Sequence, residues 1–207
     1  RLLLQTVWKA IEDSGYGGNK LYGSNTGVFV TAESRKGLSY QQLIQDVDVD
    51  SVAASLPGNS VSMMPGRISY LLDLHGPAMV IDSACSSGLA AIHLATNMLR
   101  KGEIDLAIAG GVKLNFLPLD SGLRVGIESS DGRTQAFSDH SSGTTIGEGV
   151  VAFILKPLSK ALRDKDNIHA VIKGSSMKHD GRAIGVTAPN ARAQEQLLLH
   201  AWKDAGI

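Results

Sequence analysis

The chain has 207 residues, 43% of them apolar, with 20 basic and 20 acidic side chains. That length supports one domain with a sizeable core, and nothing in a formal charge of zero predicts a nucleic-acid or anionic-membrane partner. One cysteine cannot close an internal disulfide, which suits a reducing compartment, and neither a signal peptide nor a run of roughly 18 apolar residues is present.

The first residues read as a helix: Leu4, Val7, Trp8 and Ile11 recur at helical spacing and Gly15 can end the run. No start signal precedes it, which suggests a truncated beginning. The glycine-rich loop from Gly17 to Ser24 lacks the spacing of a phosphate loop. Gly27 to Thr31 is expected to be a buried strand, Leu38 to Gln45 a helix, and Asp46 to Asp50 a polar turn. Ser60 to Met64 opens another helical segment, with Pro65 marking a break and a fresh start. Ala78 to Ile81, bounded by Gly76-Pro77, is a short apolar run that predicts a buried strand. A small-residue helix follows. Leu106 to Ala109 predicts a strand, with Asp105 before it as a turn acceptor.

Asn115 to Glu128 is a mixed loop, and Ser130 to Gly149 is rich in turn residues. Val150 to Leu155 is nearly continuously apolar, the pattern of a strand covered on both faces. Asp164 to Asn167 is a polar turn and Ala170 to Lys173 a further strand. Ala191 to Ala205 is a helix carrying Leu197, Leu198 and Trp202 and closed by Gly206.

The stretch from Pro77 to Arg100 holds Cys85 at the turn from strand to helix. Unpaired N–H groups at a helix start favour a thiolate over a thiol. Ser83, Ala84, Ser86 and Ser87 surround it with small side chains that leave a path to a nucleophile. The competing reading is a small buried hydrophobe. A histidine partner would activate the thiol, but none of His75, His93, His140, His169, His179 and His200 pairs with Cys85 on spacing. His140 and His179 read as loop residues. The S-x-x-K spacing of Ser175 and Lys178 lacks its usual companions. No Cys/His cluster has metal-ligand spacing, so no metal is expected.

The string from Asp82 to Leu89, DSACSSGL, resembles the nucleophile motif of the beta-ketoacyl synthases, in the form found in modular type I polyketide synthases. Arg67 to Tyr70, Leu74 to Pro77, Asp105 to Val112, Ser130 to Arg133, Gly147 to Gly149, His179 to Gly181 and Thr187 to Asn190 fall in that family's order. His179 stands where glutamine is common and Gly88 where serine is usual. The resemblance implies an α/β thiolase-like fold, here incomplete. Residues 1–207 would be the N-terminal half of a ketosynthase domain, cut at both ends, with the family's two catalytic histidines beyond the end of the chain.

The implied activity is decarboxylative condensation. Cys85 would take an acyl group from the phosphopantetheine of an acyl carrier protein, and a malonyl-type thioester would then attack it. Ser83, Ala84, Ser86 and Met64 are the implied substrate-binding residues. Met63 and Met64 are alternatively core filler. The implied setting is a cytoplasmic homodimer with a carrier-protein partner, no directly bound cofactor, no nucleic acid and no membrane. The alternatives are a non-elongating or non-catalytic module that holds an acyl chain or serves as a dimer scaffold, and another thiolase-fold condensing enzyme such as a fatty acid synthase.

Overall fold

The computed structural model describes residues 1–32, 34–115, 126–185 and 188–207, without the side chains of residues 34–40. Its elements in order are α1 (Leu2–Asp13), β1 (Thr26–Ala32), α2 (Ser34–Val47), α3 (Val52–Asn59), α4 (Met63–Leu72), β2 (Ala78–Val80), α5 (Ser87–Lys101), β3 (Leu106–Lys113), β4 (Gly149–Leu155), α6 (Leu158–Asp164) and α7 (Ala191–Ala205). The strands form one sheet in the order β2-β1-β3-β4. β1 runs parallel to both β2 and β3, with Val28 opposite Ala78 on one side and Ile108 on the other. β4 pairs antiparallel with β3, placing Leu155 opposite Ala107.

Side chains alternate across a strand, and the two faces of the sheet hold separate cores. Val28, Val30, Leu106 and Ile108 point to one face, where Leu3, Val7 and Ile11 of α1 and Ile68 and Leu72 of α4 cover them. Phe29, Ala107 and Ala109 point to the other, under Ala91, Ala95 and Leu99 of α5. Phe29 and Ile108 are fully buried, each contributing roughly 1.5–3 kcal/mol of transfer free energy. The small side chains of α5 are thus a fit requirement, since they bring its backbone close to the sheet.

Helix ends follow local chemistry. α1 stops at Asp13, where Ser14 donates its hydroxyl to the Ile11 carbonyl and Gly15 takes φ +80°. α5 ends on Gly102 at φ +71°, with Arg100 and Lys101 in the last turn where the helix dipole favours cations. α7 starts on Asn190, whose side-chain oxygen accepts the Ala193 N–H, and stops at Gly206. α4 takes Pro65 within its first turn, where a missing N–H breaks no intrahelical bond.

Several expectations are corrected. β2 is an edge strand rather than a buried one, with Ala78 and Met79 exposed and a partner only on the β1 side among the described residues. β4 is also an edge strand; Val150, Ala152 and Ile154 pack towards α1, while Val151 and Phe153 are exposed, so only one face is covered. Residues 170–173 form no strand: no neighbouring backbone pairs with them among the described residues, and Val171 and Ile172 are exposed. β3 runs on through Gly110 and Gly111 to Lys113, paired with Ala152 and Val151 of β4, and a Cβ at Gly110 would strike the Val151 carbonyl. α2 continues to Val47 before a short 3-10 turn at Val49–Ser51. Neither α3, with Pro57 in its interior, nor the two-turn α6 had a sequence signal. The loop expected from Asn115 to Glu128 lies mostly outside the described residues. The turn-rich segment after it is tied by a bridge between Glu128 and Thr144.

Gly76 sets the entry to β2. A Cβ there would lie 2.5 Å from the Thr26 carbonyl carbon and oxygen and 2.6 Å from the Gly27 nitrogen, all backbone atoms of the central strand. Gly76→Ala is expected to destabilise the fold by about 1–3 kcal/mol, read as a lower urea midpoint at unchanged m-value.

Candidate active site

Cys85 occupies a 3-10 turn, Ala84–Ser86, between the end of β2 and the first residue of α5, and it is exposed. Serine side chains build the turn. The Ser83 N–H donates to Ser87 Oγ at 2.8 Å, and the Ser87 hydroxyl donates to the Ala84 carbonyl at 2.6 Å. The Ser86 hydroxyl donates to the Ser83 carbonyl at 2.8 Å. Asp82 accepts the Ala84 N–H at 3.1 Å in an Asx turn.

Ala84 is pushed to φ +55°, a left-handed conformation that costs a non-glycine residue on the order of 1–2 kcal/mol. Ser87 alone in this group is buried, so its two bonds clasp the turn out of reach of competing water. The Cys85 N–H has no acceptor among the described residues and remains available to an incoming group. A Cβ on Gly88, in the first turn of α5, would meet nothing within 4 Å.

The structure gathers Ser83, Ala84 and Ser86 around Cys85. Met64 lies elsewhere. It packs on the α1/α4 face of the sheet and lines a cleft of about 250 Å³ with Leu3, Leu4, Met63, Arg67 and Ile68. Cys85 leads into α5 on the opposite face, so the two are not brought together within the chain. Sequence reasoning missed Asp82, for which an acidic residue two positions before an N–H is the available signal, and the clasping role of Ser87. The left-handed Ala84 has no sequence signal.

The imidazoles of His75, His93, His169, His179 and His200 contact groups other than Cys85. His75 contacts Asp73, His93 contacts Ser175 and Asn97, His169 contacts Asp13, and His200 contacts Lys178. His179 accepts the Gly181 N–H, and the His140 N–H donates to Ser138. Among the described residues no group of His, Cys, Asp or Glu has the arrangement of a metal site, and no helix is long and apolar enough to cross a membrane.

A wider cleft, about 570 Å³, lies at the other end of the sheet, lined by residues that include Asp13, Tyr16, Lys20, Asp164 and Asp166. The β4 register puts Lys156 beside the start of β3, whereas Cys85 follows the end of the parallel β2. Lys156, 10% exposed, reaches Asp164 and Asp166 at 2.6 Å each and also donates to the Tyr16 hydroxyl. Burial opposes its charge, but these three hydrogen bonds outweigh burial and hold the ammonium above its ordinary pKa.

The chain's residues 1–161 match the model of the beta-ketoacyl synthase N-terminal domain, and residues 169–207 match that of the C-terminal domain. The α/β sheet with a cysteine on a tight turn at the head of a buried-face helix is a partial thiolase-like architecture. The chain belongs to the beta-ketoacyl synthase family. It is 40% identical over 209 residues to the polyketide synthase PksN of Bacillus subtilis (strain 168) and 41% identical over 212 residues to the erythronolide synthase EryA2 of Saccharopolyspora erythraea. It is also 42% identical over 213 residues to a 6-methylsalicylic acid synthase of Penicillium terrestre. All of this chain is covered in each case, but only 4%, 6% and 12% of those proteins.

A solved ketosynthase from module 6 of the bacillaene synthase of Bacillus subtilis 168 superposes with a TM-score of 0.86 at 37% identity, covering all of this chain and 35% of that one. An oxazolomycin ketosynthase domain from Streptomyces albus JA3453 gives 0.85 at 35% identity, covering 37% of its length.

Two outcomes follow from this geometry. Ser87→Ala leaves the Ser83 N–H without its partner and is expected to cost about 1–2 kcal/mol, whereas the exposed Ser86→Ala costs under about 0.5 kcal/mol, both read by urea denaturation. At the far end, hydrogen bonds from Arg163 and then Lys156 hold the Asp164 carboxyl down at about 2, against an ordinary 3.8. A carboxyl depressed in the folded state stabilises it above the ordinary value, and that contribution is lost as pH falls through about 2. Thermal midpoints measured from pH 5 to pH 2 are therefore expected to fall more steeply for the parent than for Asp164→Asn.

Proposed function

We propose that the chain is the Cys85-bearing part of a ketosynthase domain in a polyketide synthase, and that Cys85 is the acyl acceptor. In the proposed first stage, the Cys85 thiolate attacks the thioester carbonyl of an acyl group carried on phosphopantetheine of an acyl carrier protein. The acyl group moves to sulfur and the carrier leaves as its thiol. The Cys85 N–H is the proposed donor to the developing oxyanion, and Ser83, Ala84 and Ser86 line the approach.

In the second stage, a malonyl-type carrier thioester loses carbon dioxide, and its carbanion attacks the acyl-cysteine to give a beta-ketoacyl product and free thiol. With the imidazoles of His75, His93, His169, His179 and His200 engaged by other groups, the groups that stabilise that carbanion are proposed to come from the rest of the domain. Met64 is then proposed to meet an acyl chain only in the assembled domain. The open edge of β2, with Ala78 and Met79 exposed, supports a homodimer formed by strand pairing across that edge.

The observation that carries the reading is the exposed Cys85 on a clasped turn with its own N–H free. The test offers an acyl-loaded carrier protein to the chain and follows intact mass. A single acyl adduct that is absent in Cys85→Ala is expected, with no condensation when malonyl-carrier is then added. An adduct that persists in Cys85→Ala would sink the assignment.

A further inference from the structure

Helix α5 bears two stripes. Ala91, Ala95 and Leu99 face the sheet. His93, Asn97 and Arg100 fall on the other side, spaced four and three apart so that they stack along one line over about two turns. All of their long-range polar contacts reach the last part of the chain. His93 Nδ1 lies 2.8 Å from Ser175 Oγ. Arg100 donates from Nη1 to Asp204 at 2.6 Å and from Nη2 to the Lys173 carbonyl at 2.7 Å. Asp204 also accepts the Ser175 N–H at 2.9 Å, closing the network between α5, residues 173–175 and α7. Asn97 Nδ2 sits 3.0 Å from His93 Nε2 and fixes the ring plane from within the helix.

This network joins two stretches matched by different family models, residues 1–161 and 169–207. Apolar packing is thin here. Leu198 and Trp202 of α7 and Val171 of the approach are about half exposed, and the backbones meet through Gly174, where a Cβ would lie 2.6 Å from the Ala201 carbonyl. A contact made by small residues and bare backbone slides easily, because it lacks interlocking side chains. Directional hydrogen bonds resist sliding. Arg100 and Asp204 are each about 40% exposed, 40% and 38%, so solvent screens their attraction and the pair contributes orientation more than stability.

We infer that His93 and Arg100 are positioning residues, which register the helix that follows Cys85 against residues 169–207 through Ser175, Lys173 and Asp204. The functional weight of this inference rests on reading Cys85 as the acyl acceptor: the seam then sets how the stretch matched by the C-terminal domain model is registered against the turn that holds the thiol. His93 Nδ1 makes the contact, and asparagine places a nitrogen or oxygen near that atom, whereas glutamine places one near Nε2. His93→Asn therefore keeps the seam and His93→Gln breaks it. Arg100→Met keeps the stem and removes both donations.

The test uses the sole cysteine as a label site. In a Trp8→Phe background, Trp202 on α7 is the single donor to an acceptor dye on Cys85, and time-resolved donor decay reports the distance between the two. Hydrogen exchange reports protection of residues 173–176 and α7. For His93→Gln and Arg100→Met, the expected result is a broadened donor-lifetime distribution and roughly tenfold faster exchange across that region, with helix content unchanged by circular dichroism. His93→Asn is expected to match the parent in both. If the Gln and Met variants keep the parent's decay, or if His93→Asn is as disruptive as His93→Gln, the positioning role is wrong. Neither readout involves acyl transfer, so this inference and the Cys85 assignment fail separately.

Discussion

Strands β1 and β3 form a parallel pair whose side chains are buried towards both faces, and the rest of the molecule is arranged to satisfy that burial. One face carries branched aliphatic residues and takes the amphipathic α1 and α4. The other carries Phe29 between alanines, a profile that admits a helix only if its contacting side chains are small. That selects α5, whose Ala91 and Ala95 lie against the sheet. Because parallel neighbours need crossover connections, the chain must leave β2 at its carboxyl end and turn at once into α5. The cysteine sits on that forced turn.

The turn shows how local strain is held. Ala84 in a left-handed conformation is unfavourable by itself, and Ser87, Ser86 and Asp82 each contribute a hydrogen bond that fixes it. The buried clasp matters more than the exposed ones, because water competes for the latter. The result is an exposed thiol whose own N–H has no acceptor among the described residues. Exposure and a rigid base coexist here because the anchoring bonds lie under the turn rather than around the sulfur.

Polar interactions elsewhere do different work according to their solvent exposure. Lys156 is withdrawn from water and saturated by Tyr16, Asp164 and Asp166, so it ties the turn after α1, the end of β4 and the end of α6 with the residues just after it into one corner. The Arg100–Asp204 contact is half open to solvent and instead orients α7 on α5. Both networks link residues far apart in sequence, and neither has a spacing that a sequence pattern could reveal.

The sequence by itself determined the strand of Gly27 to Thr31, the terminal helices with their glycine stops, and Cys85 at a strand-to-helix turn. These depend on periodicity, caps and short apolar runs, which are local. The motif string around Cys85 also placed the chain in its family, since the order of several short strings is preserved along a chain without reference to its fold. Only the tertiary structure decided that Ala78 to Val80 lies at an edge, that β4 is covered on one face, and that residues 170–173 pair with nothing described. An apolar strand reads the same whether or not a neighbour covers it, because burial is a property of what packs against a segment. The same reason separates Ser83, Ala84 and Ser86, adjacent to the thiol by covalent connection, from Met64, whose position depended on which face of the sheet α4 came to occupy.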